Sequence, residues 1–260
     1  ANLGFTGEYG ITGGAGVEFD NFRGKGQKLN IGASTGTNFS IYTTQEPTKY
    51  RSLNISFQDP MINDSPYLVG ASIFYSFRGS STNYYFPLDF TVGGAVASFG
   101  RRLEWPDDFF RVMWSAKFMQ KEYEGSQSDI DNYIGGLQKT RGISLSQVLS
   151  RDSRNRAEFP TNGSTFILEN TYSGGFLGGN ENFQKHMLTL DWFTPTFSKF
   201  VLYNSVKLGV IKTIDVGDDI QSFVPFDERF IMGGNGIPYG NALRGYPDNA
   251  IGPQTVSGQA

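Results

Sequence analysis

Apolar and polar residues alternate one by one through run after run of this chain, which is the pattern of a strand with two unlike faces. Leu3, Phe5, Tyr9 and Ile11 share one parity, and Asn2, Thr6 and Glu8 take the other. Val17 and Phe19 oppose Glu18 and Asp20; Leu29, Ile31 and Ala33 oppose Lys28, Asn30 and Ser34. The pattern returns in Leu53, Ile55 and Phe57, in Phe110, Val112, Trp114, Ala116 and Phe118, and in Leu188, Leu190 and Trp192. Eleven strands are expected, at 2–11, 14–22, 27–37, 49–59, 67–78, 89–102, 109–124, 138–151, 163–175, 184–194 and 200–213. Soluble sandwich strands average about 5–6 residues. Several of these runs are long enough to cross a bilayer at a tilt, which needs about 9–11 residues.

Turn chemistry separates the runs: Gly13 and Gly14, Gly24 and Gly26, Asp59–Pro60, Trp105–Pro106, Asn162–Gly163, and Gly178 and Gly179. No helix with a cap and an apolar stripe is expected. The connections alternate between very short turns and longer polar loops, as in outer-membrane barrels with tight periplasmic turns and longer outer loops. The 33 glycines, 23 phenylalanines and 13 tyrosines suit a β-rich chain with many hairpins. Aromatics gather near strand ends, at Tyr84, Tyr85 and Phe86 and at Phe109 and Phe110, where interfacial girdles belong. No run approaches the eighteen or so consecutive apolar residues of a spanning helix, a test that does not apply to a β-barrel. The fold expected is all-β, an antiparallel transmembrane β-barrel.

The net charge is −3, with no basic stripe to neutralise phosphates, so nucleic acid is not an expected partner. With no cysteine there is no disulfide framework, no thiolate nucleophile and no Cys-based zinc site. His186 is the only histidine and is expected to be structural, since no nucleophile elbow accompanies it. The DVGDD stretch at 215–219 lacks the spacing of a dedicated calcium loop and reads as a solvated loop. The sequence supplies no catalytic, cofactor or metal site, and an enzyme is not expected.

Four segments stand in order along the chain: DNFRGKGQ at 20–27, SFQDP at 56–60, RDSRNRAEFPTNG at 151–163, and ERFIMGGNGIPYGNALRGYPD at 228–248. Singly, each reads as a strand end or a turn. Together they resemble the Omp85 superfamily, outer-membrane barrels that insert or export other proteins, and most closely its insertase branch. Asn21–Gly26 matches that family's turn after the second strand, Phe57–Pro60 its strand ending in Phe-x-Asp-Pro, and Arg151–Gly163 its arginine-aspartate and Phe-Pro-x-x-Gly pattern. Gly233, Gly234, Arg244, Gly245 and Tyr246 match the twin glycine and Arg-Gly-aromatic signature of loop six, with a longer spacer between them.

The resemblance implies sixteen strands in an intact family barrel. Residues 1–214 would then supply strands one to eleven and 215–260 loop six, with the last five strands and the periplasmic POTRA domains expected outside this chain. It implies a location in the outer membrane of a Gram-negative bacterium, client outer-membrane β-barrel proteins, accessory lipoproteins and outer-membrane lipid as partners, and no cofactor. Arg244 would reach acidic residues on the barrel wall with Tyr246 beside it. The family's own acidic partners lie beyond this chain, and within it Glu169 and Asp191 have the right parity. Leu3, Gly4, Phe5, Thr6, Gly7, Glu8 and Tyr9 form the first strand, which in the family is one side of a lateral gate. Its glycines either weaken a seam that opens or accommodate barrel curvature. Folding and insertion of barrel proteins is the expected function. A protein exporter of the same superfamily and a passive porin are the alternatives.

Overall fold

A computed structural model describes residues 1–6, 10–37, 49–80, 87–217, 224–225, 228–232, 240–241, 243, 245–246 and 251. Eleven strands form one antiparallel sheet in sequence order: β1 (Asn2–Thr6), β2 (Gly10–Phe22), β3 (Gln27–Thr37), β4 (Lys49–Asp59), β5 (Tyr67–Arg78), β6 (Asp89–Arg102), β7 (Phe110–Glu124), β8 (Lys139–Asp152), β9 (Gly163–Ser173), β10 (Phe183–Pro195) and β11 (Val201–Thr213). β1 and β11 are the outermost strands and do not pair with each other. Among the described residues no helix is long and apolar enough to cross a membrane. β2–β11, with 11 to 15 residues each, are of spanning length.

The ladder registers explain the alternation. One transverse row reads Val17, Ile31, Ile55, Ile73, Ala95, Phe118 and Ile143 across β2–β8. The row beside it, one residue along, reads Glu18, Asn30, Ser56, Ser72, Val96, Lys117, Ser144 and Ser173 across β2–β9 and points the other way. The apolar face is the one left open: Ile73 is 56% exposed, Val17 55% and Leu208 59%. In water such a face, covering a whole sheet, would drive aggregation; against lipid it is the expected outer face of a barrel. Short polar contacts tie the opposite face together, as between Ser34 Oγ and Ser52 Oγ (2.6 Å) and between Ser146 Oγ and Thr171 Oγ1 (2.9 Å). Exposed aromatics ring the end of the sheet that carries the β6–β7, β8–β9 and β10–β11 connections: Trp105, Phe109, Phe159, Phe197 and Phe200. Tyr84, Tyr85 and Phe86 lie outside the described residues.

Two expectations are corrected. The β7–β8 connection contains a helix, α1 (Gln127–Ile134), where none was expected. Ser126 caps its start, accepting from the Asp129 backbone N–H at 3.2 Å, and Gly135 ends it with a left-handed φ of 62°. Ile130 and Ile134, one turn apart, bury their side chains with Leu88, Phe90 and Tyr123 on the polar face of the sheet. A stripe of two residues was too narrow to register as an amphipathic period. The second correction concerns Gly13 and Gly14, which are not a turn but lie inside β2, paired with Leu3 and Asn2. Glycine pairs occur at bends within barrel strands as well as in turns. The ladder continues to Gly10, with a register shift between Gly10 and Ile11.

This small cluster is the only hydrophobic core described on the inner face, so α1 depends on it. Ile130→Ala is expected to cost about 2–5 kcal/mol of local stability. Hydrogen exchange should accelerate across residues 127–134 and stay unchanged in β3–β5.

Candidate functional site

The segment that follows β11 turns back onto the inner face. Lys185, on the inner side of β10, donates from Nζ to the Glu228 carbonyl (2.9 Å) and to Glu228 Oε2 (3.0 Å). Both side chains are about one-fifth exposed, so this ion pair is screened less than a surface pair. The same ammonium lies 5.4 Å from the centre of the Phe230 ring. That ring occupies the space over Gly209 of β11: a Cβ there would lie 2.6 Å from Phe230 Cζ. Glycine at 209 is therefore a socket for an aromatic side chain. Pro225, just before this segment, is fully buried. Beyond it Ile231–Met232 forms a two-stranded parallel pair with Gly240–Asn241.

A cavity of about 190 Å³ lies beside this anchor, with Lys117, Glu169, Glu181, Lys185 and Glu228 in its wall. Glu181 belongs to the β9–β10 connection and is held in a fully buried ion pair with Lys121 of β7 (3.1 Å), while Thr140 Oγ1 donates to it at 2.7 Å. Burying two charges is costly unless each is paired and hydrogen-bonded. This arrangement therefore fixes that connection to the inner wall.

Of the residues expected to form the site, Glu169 faces the same cavity as Glu228, whereas Asp191 is already engaged. Thr165 Oγ1 donates to Asp191 Oδ2 (3.0 Å) and the Tyr203 hydroxyl to Oδ1 (2.9 Å), both from neighbouring strands. Gly245 has a φ of 87° and Tyr246 is half exposed. Gly233, Gly234 and Arg244 lie outside the described residues, so the contact expected of Arg244 is not described. Among the first-strand residues, Gly7, Glu8 and Tyr9 lie outside them too, as do the side chains of Phe5 and Thr6. The described part of the strand, Asn2–Thr6, pairs with Gly10–Gly14 of β2, and Leu3 is 81% exposed. Lys185, Glu228, Phe230 and Gly209 were missed in the sequence. Their one legible signal was a lysine on the polar parity of a strand.

A model of the Omp85 superfamily domain matches residues 21–260. The chain belongs to the Omp85 superfamily. It is 27% identical over 215 residues to the outer membrane protein assembly factor BamA of Nitratidesulfovibrio vulgaris, a match that covers 79% of this chain and 24% of that protein. Its fold matches the crystal structure of BamA from Haemophilus ducreyi lacking POTRA domains 1–3, with a TM-score of 0.73 and 19% identity, over 97% of this chain and 46% of that one. The chain thus spans well under two thirds of either relative. As an Omp85 barrel it resides in the bacterial outer membrane.

The other Omp85-like segments all lie in or beside the short turns. In the β2–β3 turn Asn21 Oδ1 accepts from the Gly26 N–H (2.6 Å), and Gln27 Nε2 reaches Asp59 Oδ2 (2.8 Å) at the end of β4. Arg151, at the end of β8, donates from Nε to Asp107 Oδ2 (2.8 Å) in the β6–β7 turn and lies over the Phe109 and Phe110 rings. Arg154 grips Asp152 through Nε and Nη2. Desolvation pushes the Asp107 carboxyl up, but the Arg151 hydrogen bond, the Phe109 N–H and the guanidinium charge outweigh it and leave its pKa lowered. Among the described residues no group of three or more His, Cys, Asp or Glu is placed to hold a metal ion.

Gly209→Val should eject Phe230 from its socket, and Lys185→Met should leave Glu228 unpaired at a cost of about 1–3 kcal/mol. Either change is expected to make the segment around 224–232 protease-sensitive in the otherwise folded barrel. For Asp107, a lowered native pKa means that the Arg151 pair contributes stability above the ordinary value of 3.8, which is lost as pH falls through the native value. A carboxyl NMR titration should place the Asp107 midpoint below 3.8, and Arg151→Met should move it upward.

Proposed function

We infer that this chain is the N-terminal part of the barrel of an assembly factor that folds and inserts other β-barrel proteins into the outer membrane. The observation that carries the reading is the glycine content of the first seam. Four of the five registered pairs between β1 and β2 contain a glycine: Asn2–Gly14, Leu3–Gly13, Gly4–Thr12 and Thr6–Gly10. Glycines contribute no cross-strand side-chain contact, so this pairing lacks the reinforcement that side chains give elsewhere in the sheet. A strand that opens easily presents unpaired N–H and C=O groups, and an incoming client strand satisfies them by β-augmentation. The likeness to an assembly factor of that name supports the same reading.

The driving energy is strand pairing and apolar burial in the client. The mechanism asks no bond-breaking step, nucleotide or metal of the barrel. Client barrel proteins, accessory lipoproteins and outer-membrane lipid are its partners. Loop six, held by Lys185 and Glu228 inside the barrel and by Arg244 at its signature, would keep the lumen occupied while the seam works. That occupancy distinguishes this reading from a passive porin.

The test uses the natural full-length protein in proteoliposomes, with a cysteine at Gly4 and another in its last strand. Oxidation should abolish insertion of a client barrel and reduction should restore it. Undiminished insertion in the oxidised form would rule out the opening seam.

A further inference from the structure

On the lipid-facing side of β6 three successive outward positions, Gly93, Ala95 and Ala97, carry at most a methyl group. The strands on either side stand higher, with Ile73 and Tyr75 outward on β5 and Phe118 outward on β7. An apolar groove of about 540 Å³ follows, lined by Ala71, Ile73, Ala95, Ala97, Ala116 and Phe118. Toward the short turns the next outward side chain of β6 is Phe99, stacked against Tyr67 and Trp114, and the groove ends there.

Toward the longer connections, the outer end of such a barrel, the groove meets a charged pocket. The row beyond Ala95, Phe118 and Ile143 is Gly93, Gln120 and Arg141, and the next is Thr91, Glu122 and Lys139. Gly93 leaves the passage between them open. Gln120, Lys139 and Arg141, with Gly179 and Asn180 of the β9–β10 connection, line a pocket of about 400 Å³. Its shape is fixed from behind. Thr140 turns inward to donate to the buried Glu181, so the alternation of β8 sends Arg141 outward. Asn180 clamps the strand, accepting from the Arg141 N–H (2.6 Å) and donating to the Lys139 carbonyl (3.3 Å). Lys139 Nζ lies 2.6 Å from Glu122, but among the described residues the Arg141 guanidinium has no hydrogen-bond or ionic partner. The pocket therefore holds one cation in excess.

We propose that the groove and the pocket together bind an anionic, phosphate-bearing lipid of the outer leaflet. Its phosphate sits on Arg141 with Lys139 beside it, and one acyl chain lies along Gly93, Ala95 and Ala97. A guanidinium suits phosphate through its forked donors, and a long cationic side chain at the edge of an apolar band reaches the headgroup level. A free anion would meet the charge but leave the groove empty, whereas a lipid carries the charge and the chain in one molecule. This goes beyond the assembly role and rests only on the membrane-barrel architecture, so either idea can fail alone.

The test places a photo-reactive side chain at position 120 of the natural full-length protein, in phosphatidylcholine vesicles doped with lipid A or with the same lipid A stripped of its phosphates. Mass spectrometry after irradiation should show the phosphorylated adduct in about tenfold excess over the dephosphorylated one. Arg141→Gln should remove that preference, whereas Lys212→Gln, an outward cation on β11 away from the groove, should leave it. Ala95→Phe keeps both cations, fills the groove and should also lower the adduct about tenfold, which tests the site even if Arg141→Gln does not fold. Both groove variants should keep the heat-modifiable mobility of a folded barrel. Equal adducts with the two lipids, or adducts indifferent to Arg141 or to the filled groove, would overturn the proposal. So would loss of the adduct to excess inorganic phosphate, which marks a free-anion pocket, or capture of a protein in place of lipid when whole outer membranes are irradiated.

Discussion

A backbone that enters hydrocarbon must satisfy every N–H and C=O group within the protein, and the architecture of this chain follows from that demand. From β2 to β11 it is met by one continuous antiparallel sheet, and period-two alternation comes with it, because a strand whose neighbours flank both edges has only two faces left. Lipid takes one face and the lumen the other. The row through Val17, Ile73 and Phe118 and the row through Glu18, Ser72 and Lys117 differ by a single residue in register, so a slip of one would expose Lys117 to lipid. The ladder thus fixes both the fold and the chemistry of the lumen.

The lumen then sets the rules for the connections. It is polar and partly enclosed, so what folds into it must be charged and paired, or must carry its own apolar cluster. Glu181 enters with Lys121 and Thr140, Glu228 enters with Lys185, and α1 enters on Ile130 and Ile134. Each solution costs desolvation or ordering entropy, and each is offset by geometry that only a rigid wall provides. Gly209 shows how closely the wall is shaped to its contents, since one methyl group there would collide with Phe230.

The wall was legible in the sequence because alternation is a local signal repeated ten times over, and ten of the eleven expected strands begin within a few residues of the observed ones. The β1–β2 hairpin was misplaced because Gly13 and Gly14 look the same whether they bend a strand or turn a chain; only pairing with Leu3 and Asn2 distinguishes the two. α1 was missed because its apolar face is two isoleucines, whose partners Leu88 and Phe90 lie some forty residues away in sequence. The Lys185–Glu228 anchor has the same character, joining residues 43 apart. Family membership was legible for the opposite reason: Asn21–Gly26, Phe57–Pro60 and Arg151–Gly163 are each weak, but their order along the chain is not, and all three fall in or beside the short turns.

A wall this continuous makes its exceptions informative. The β1–β2 seam departs from the rest in composition, with a glycine in four of its five registered pairs. The lipid-facing row Gln147, Asn170 and His186 departs from it in polarity, with the ladder beneath it intact. One exception weakens the backbone while keeping the apolar face; the other keeps the backbone and breaks the face. A weakened ladder is suited to opening, because what it lacks is pairing energy.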